Sequence, residues 1–263
     1  MTDRLNAIFD DLQAALREIV LKHEVTWEEY RLVGQWLAEA GMTGSEIPDL
    51  LDFLVSPAID DASHRAGGGT EPNVEGPVYV AGAPMLERPF ALPRRENEPG
   101  ETLVFSGTVR STEGAPLAGA VLDIWQSNGA GEYSHFVAGV PEYNLRGRLT
   151  TDEDGCFEFE TVVPSPYEVP MGAATGRLFA ALGRPSFRPG HIHFKISHDA
   201  AAPLTTQIYF DGDPFIDSDV VGAVKPSLVT RLRRHEGVDA YATCSYDFVL
   251  PATTVTGWAM TAP

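Results

Sequence analysis

From residue 103 to residue 250 the chain is cut into short runs rich in Val, Ile, Phe and Tyr, each bounded by turn formers such as Glu113-Gly114-Ala115-Pro116 and Asp152-Glu153-Asp154-Gly155. Short β-rich runs at this spacing specify a mostly β protein, an antiparallel β-sandwich, rather than strands alternating with helices. The pattern predicts strands over 103–109, 120–125, 148–151, 156–162, 191–197, 205–210 and 242–250.

The region ahead of these runs has a different period. Leu5, Ile8, Leu12, Ala15, Leu16, Ile19 and Val20 recur at helical spacing and make one apolar face. Thr26-Trp27-Glu28-Glu29 is a capping box that opens a second amphipathic helix, carried by Tyr30, Val33, Trp36, Leu37 and Ala40 to a stop at Gly41. A third, shorter helix is expected near 48–55, ending before Pro57, and 62–73 with its Gly67-Gly68-Gly69 reads as a flexible connection. The chain divides accordingly into an N-terminal α-helical segment with linker, 1–73, and a β-sandwich domain, 74–263.

Charge narrows the partners. With 19 basic residues against 37 acidic ones the formal net charge is −18, which excludes a binder of nucleic-acid backbones and argues against docking on an anionic membrane. No run approaches the roughly 18 apolar residues of a membrane span, and the expected location is the cytoplasm. Cys156 and Cys244 are too few for a disulfide framework or a cysteine metal site, and read as small buried hydrophobes.

One stretch of the sandwich region carries chemistry: Arg188-Pro189-Gly190-His191-Ile192-His193-Phe194-Lys195-Ile196. After the Pro-Gly turn the residues alternate, so a strand puts both imidazoles on one face and Ile192 and Phe194 on the other. Two histidines so placed form a bidentate metal clamp, which by itself suits several divalent ions, zinc and copper among them. Upstream, Tyr133 in Gly129-Ala130-Gly131-Glu132-Tyr133-Ser134 and Tyr167 in Pro164-Ser165-Pro166-Tyr167-Glu168-Val169-Pro170 sit in turn-forming segments where a large ring is not needed for packing. The prolines hold the segment around Tyr167 stiff. His23, His64, His135, His198 and His235 lack ligand spacing and read as surface or structural. Asp199 follows His193 with no motif to support a site of two histidines and one carboxylate on ferrous iron. No phosphate loop, nucleophile elbow or internal repeat is present.

Between Val74 and Val221 the chain resembles the intradiol ring-cleaving dioxygenases, in their catechol and chlorocatechol 1,2-dioxygenase branch, with the hydroxyquinol 1,2-dioxygenases close. The resemblance rests on Glu75-Gly76-Pro77-Val78-Tyr79-Val80-Ala81-Gly82-Ala83-Pro84, Asp123-Ile124-Trp125, Gly131-Glu132-Tyr133-Ser134, Pro166-Tyr167-Glu168-Val169-Pro170, Leu182-Gly183-Arg184, Arg188-Pro189-Gly190-His191-Ile192-His193 and Thr205-Thr206-Gln207. One departure is Gly190, where relatives usually carry alanine, and the lost methyl is expected to matter little.

The resemblance implies one non-haem Fe(III) per chain, held by Tyr133, Tyr167, His191 and His193. Two phenolate oxygens favour a hard ferric ion, and the metal keeps them deprotonated, since a free phenol ionises only near pH ~10. It further implies that a catechol chelates the iron and displaces Tyr167, that Arg188 lies behind the substrate ring, that Gln207 stands near the iron, and that O2 opens the ring to a cis,cis-muconate in the breakdown of aromatic compounds. Asp123 and Trp125 share a strand face, where packing and a role at iron are both open. Asp49, Asp52, Phe53, Val74, Gly76, Val78 and Val221 match positions lining the substrate pocket. Val74, Val78 and Val221 would accommodate a methyl or chlorine substituent. Asp52 could instead accept a hydrogen bond from a third ring hydroxyl, as a hydroxyquinol enzyme forming maleylacetate requires. The N-terminal helices correspond to a homodimer interface able to enclose a lipid. The reading from another class, a β-sandwich binding module with incidental histidines, predicts a colourless, metal-free protein.

Overall fold

Alternating apolar residues on two sets of strands need a common dry layer. In the computed structural model, which describes residues 2–42, 46, 51, 55–169, 172–238 and 240–253, they find it between two sheets. The helices are α1 (Thr2–Lys22), α2 (Trp27–Met42) and α3 (Ser56–Gly67). They are followed by β1 (Phe90–Ala91), β2 (Thr102–Ser111), β3 (Val121–Gln126), β4 (Arg146–Thr150), β5 (Cys156–Val162) and β6 (Tyr167–Glu168). After α4 (Ala174–Ala181) come β7 (Phe187–Arg188), β8 (His191–His198), β9 (Ala201–Phe210), β10 (Val229–Thr230), β11 (Arg233–His235), β12 (Tyr241–Ser245) and β13 (Phe248–Leu250).

One sheet runs β1-β5-β2-β12-β11 with β13 also on β2, the other β10-β9-β8-β3-β4, and β6 pairs with β7 alone. The central ladders β2–β5, β3–β8 and β8–β9 are antiparallel as expected, whereas β1, β10, β12 and β13 join their neighbours in parallel. Phe105 stacks on Phe159 at 5.5 Å and meets Phe194 at 5.2 Å, and Phe194 meets Phe248 at 4.8 Å. These rings close the space between the sheets, and each fully buried one contributes about 1.5–3 kcal/mol relative to an exposed position.

The expected strand 242–250 is two strands, because Tyr246 and Asp247 leave the ladder. A Cβ on Gly107 would collide with the Tyr246 carbonyl, so the glycine admits the break, and Asp247 Oδ1 re-ties the chain by accepting from the Thr108 backbone N–H and hydroxyl at 2.9 Å each. The flexible connection expected over 62–73 is also corrected. α3 starts at Ser56 with Pro57 in its first turn, where a missing N–H costs nothing, and it runs on through 62–67, leaving Gly68 and Gly69 as the turn, with φ of 69° and 89°. Most of the helix expected over 48–55 lies outside the described residues. Cys244 is buried and Cys156 half-buried, and both are free.

The capping box of α2 forms: Glu29 Oε2 accepts from the Thr26 N–H at 2.7 Å, and Thr26 Oγ1 accepts from the Glu29 N–H at 3.2 Å. The apolar stripe of α1 remains open, with Leu5, Ile8, Leu12, Leu16 and Ile19 each more than half exposed. Among the described residues no helix is long and apolar enough to cross a membrane. The helical segment touches the sandwich region through Glu46, whose carboxylate accepts from the N–H groups of Ala174 and Thr175 at 2.9 and 2.8 Å and so caps α4.

Candidate metal centre

The register of the five-stranded sheet builds the site. Arg146 on β4 lies opposite Trp125 on β3, Trp125 opposite His193 on β8, and His193 opposite Gln207 on β9. Directly opposed residues project to one face, so these four side chains form a continuous buried row. His191 and Tyr209 make the next row, while Ile192 and Phe194 point into the core. The alternation expected of His191 to Phe194 is the one found. Trp125 lies flat against His193, with centroids 4.5 Å apart and planes 10° apart, and this stacking fixes the imidazole. Asp123 instead accepts the Tyr79 hydroxyl at 3.1 Å, and burial, reinforced by that carboxylate, pushes Tyr79 up to about 12.

The His191 Nδ1–H donates to the Pro189 carbonyl at 2.7 Å, which leaves Nε2 as the unprotonated nitrogen, with Arg188 Nη1 at 3.3 Å. That Nε2 stands 3.0 Å from His193 Nε2. Burial, reinforced for His191 by Arg188 and for His193 by His191 and both Arg188 and Arg146, holds the two imidazoles well below their ordinary range and therefore neutral. His193 Nδ1 is buried with no partner among the described residues. Two neutral imidazoles converging on one point present the donors a cation requires.

The two tyrosines reach the same point from loops. The turn carrying Tyr133 is wound around Asn128, whose Oδ1 accepts from the N–H groups of Ala130 and Glu132 at 2.9 and 3.0 Å. It is tied to the Tyr167 loop by Ser165, whose N–H donates to the Asn128 carbonyl at 3.0 Å and whose hydroxyl donates to the Gly129 carbonyl at 2.8 Å. Gly131, at φ 78°, lets the loops meet, since a Cβ there would stand 2.8 Å from the Pro166 carbonyl oxygen. The rings of Tyr133 and Tyr167 are 5.2 Å apart and nearly perpendicular, Tyr167 is 5.8 Å from His191, and Tyr133 is 6.4 Å from His193. Tyr133 is buried, its hydroxyl has no hydrogen-bond partner among the described residues, and burial pushes it well above a phenol's usual range. Tyr167 is half-buried.

Arg188 pairs with Tyr167 across the β6–β7 ladder. Its Nε and Nη2 donate to the two oxygens of Asp219 at 3.1 and 3.3 Å, and Nη2 also reaches Gln207 Oε1 at 2.9 Å and the Tyr209 hydroxyl at 3.0 Å. Nη1 alone faces the centre, 3.3 Å from His191 Nε2. Burial would lower Arg188, but Tyr209, Tyr167 and Asp219 outweigh it and hold it charged. The Gln207 amide is spent on neighbours: Nε2 donates to the Val74 carbonyl at 2.6 Å, and Oε1 accepts from Tyr209 at 2.6 Å.

Of the expected pocket residues, Val74 and Val221 join a small buried cluster with Phe179, Val220 and Ala223. Gly76, at φ 72°, brings backbone close to the His193 ring, and Val78 is half-buried two residues on. Asp49, Asp52 and Phe53 lie outside the described residues. Asp199 is exposed in the β8–β9 turn, at the end of the strand away from His191. His198 bonds the Ala118 carbonyl, His235 stacks on Tyr241, and His23 and His135 are exposed. Sequence reasoning missed Tyr209, Asp219, Phe179 and Arg146 as neighbours of the site. Tyr209 alone carried a usable signal, standing two residues after Gln207 on a strand.

Gly190 behaves differently from expectation. A Cβ there would collide with the Pro164 carbonyl, so in this chain the missing methyl is what lets the Tyr167 loop lie against the turn before His191.

The donor set, two inward-facing neutral imidazole nitrogens beside one orphaned buried phenol and a second phenol, fits a hard trivalent cation such as Fe(III). A family model described as Dioxygenase matches residues 74–252. The chlorocatechol 1,2-dioxygenase of Rhodococcus opacus is 42% identical over 229 residues, 86% of this chain and 89% of that protein. The crystal structure of a 3-chlorocatechol 1,2-dioxygenase from Rhodococcus opacus superposes with a TM-score of 0.89 at 38% identity, covering 96% of this chain and all of the other. That of a hydroxyquinol 1,2-dioxygenase from Pseudomonas putida gives 0.86 at 31%, covering 95% and 93%.

Proposed function

This chain belongs to the intradiol dioxygenase family, and from that premise we propose that it is a ferric enzyme that opens catechol or small-substituted catechols with O2 between their hydroxyl-bearing carbons, giving cis,cis-muconates. The observation that carries this reading is the convergence of His191, His193, Tyr133 and Tyr167, with the Tyr133 hydroxyl buried and unpartnered among the described residues.

Tyr133, Tyr167, His191 and His193 hold one Fe(III) per chain. When bound there, a ferric ion would supply Lewis acidity that makes a deprotonated catechol ring reactive toward O2. The chain's residues do the rest. Trp125 and the Pro189 carbonyl fix the two imidazoles, which stay neutral. Tyr167, on a two-residue strand, would be the residue that yields to the substrate, its oxygen taking one of the diol's protons while the other leaves to solvent. Arg188 keeps Nη1 for the reacting ring, a cation that cannot be deprotonated and so stabilises negative charge throughout. Gln207 and Tyr209 hold that guanidinium in place. Val74, Val221 and Phe179 give an apolar wall that excludes water and favours a ring bearing hydrogen, methyl or chlorine.

Hydroxyquinol is the second reading, favoured by the close superposition of a hydroxyquinol enzyme. The open apolar stripe of α1 supports a homodimer in which a second copy covers the helices, with a lipid enclosed between them. Two free cysteines suit a reducing cytoplasm.

Purified protein carries about one ferric ion per chain and is wine-red from tyrosinate-to-iron charge transfer; a colourless protein that binds no iron overturns the reading. Values of kcat/KM for catechol, 4-methylcatechol, 4-chlorocatechol and hydroxyquinol, in wild type and Asp52→Ala, decide the substrate. A hydroxyquinol preference above about tenfold that collapses in Asp52→Ala reverses the choice.

A further inference from the structure

Arg146 is buried, 1% exposed, and among the described residues no carboxylate pairs with it. A cation in that position is costly unless something compensates it. Its Nε donates to the Ser134 hydroxyl at 2.6 Å and its Nη2 to the Ser134 carbonyl at 3.2 Å, while Nη1 has no partner. The guanidinium carbon lies 5.9 Å from the centre of the Tyr133 ring, and the Tyr133 hydroxyl is likewise unpartnered. Two incomplete groups of complementary character are buried side by side, at the end of the row that runs through Trp125 to His193.

The other tyrosine faces a cation that is already shared. Tyr167 pairs in register with Arg188, whose guanidinium is bound by Asp219 and turns Nη1 toward the centre, where it bears on both tyrosines. Arg146 makes no ion pair among the described residues, Asp123 acting on it only at longer range, and its charge lies on the Tyr133 side.

We propose that Arg146 is a positioning residue of the metal centre: a fixed positive charge, tethered through Ser134 to the residue beside Tyr133, that compensates the Tyr133 phenolate and makes it the tyrosinate that stays. The assignment rests on the ferric reading above. A cation against the donor ring lowers the energy of the phenolate electrons, so its removal moves the charge-transfer band to longer wavelength; loss of the tether to Ser134 at the same time frees the Tyr133 segment and with it the ligand.

The test uses the iron-loaded full chain as wild type, Arg146→Lys and Arg146→Gln, reading the visible maximum, the rate of iron loss to a competing chelator, and the Tm of the metal-free form. Arg146→Gln shifts the band to longer wavelength and loses iron about tenfold faster, the scale of outer-sphere changes at metal sites. Arg146→Lys restores both. A band and an iron-loss rate in Arg146→Gln equal to wild type overturn the proposal, as does a Lys variant no better than Gln; a purely structural arginine lowers the metal-free Tm and leaves the band unmoved. Should Arg146→Gln not fold, Ser134→Ala decides: freeing the guanidinium shifts the band in the same direction, and an unmoved band overturns the proposal. Wild type that binds no iron sinks the ferric reading itself, whatever the variants do.

Discussion

The two sides of the candidate centre are built to different standards of rigidity. His191, His193 and Gln207 stand on β8 and β9, long strands in the middle of a five-stranded sheet, with Phe194 and Ile192 locked in the core behind them. Tyr167 and Arg188 stand on β6 and β7, two residues each, paired only with one another and separated by α4. A ligand that has to stay belongs on the first kind of support, and one that has to yield belongs on the second.

The sharpest way to break the contrast is to remove a ligand from the rigid side. His191→Ala or His193→Ala is expected to lose nearly all iron and, with it, activity down to background; metal analysis and turnover check this, and a red, active His193→Ala protein ends the assignment. Next comes the pair of tyrosines. Tyr133→Phe is expected to lose iron about 10–100-fold more readily than wild type, whereas Tyr167→Phe keeps more of its iron and fails mainly in turnover. Equal iron loss in the two would remove the yielding role assigned to the Tyr167 side.

Smaller effects lie in the hairpin's own supports. Arg188→Ala is expected to cost about 10²–10³-fold in kcat with iron retained, and Asp219→Asn less, since it loosens the guanidinium without deleting it. If either variant folds but holds no iron, Arg188 belongs to the metal's framework and not to the reacting ring. The mildest is Gly190→Ala. The Cβ collides with the Pro164 carbonyl, and the expected cost is about 1 kcal/mol of stability by denaturant unfolding, with loss of turnover exceeding loss of iron.

Most of the rigid side was legible in the sequence, because alternation is a local property: His191 and His193 had to share a face once 191–197 was read as a strand. The row from Arg146 to Gln207 was not, since it depends on the register of four strands whose members are up to 82 residues apart, 125 to 207. Arg146 fell just outside a strand expected to begin at 148, and Asp219 sits in a turn with no periodicity to mark what it touches. The small strands of the hairpin escaped because two residues carry no period. Gly190 was misjudged because its neighbour, Pro164, is 26 positions away in sequence and in contact only in the fold. The connection expected from 62 is helical as far as 67 because proline, which ends helices from within, begins them well, and Pro57 opens α3.

The two strands that flank the break at Tyr246 both lie on β2, about 140 residues earlier in the chain. The sheet that carries His191 and His193 closes among residues 121–230, but its apolar back waits for Phe248, which meets both Phe194 and Phe157. Such late, long-range closure makes for slow folding. On the ribosome the sheet that carries His191 and His193 is therefore complete in sequence, and faced by Phe105 and Phe159, while the part of its inner surface that Phe248 covers is still open.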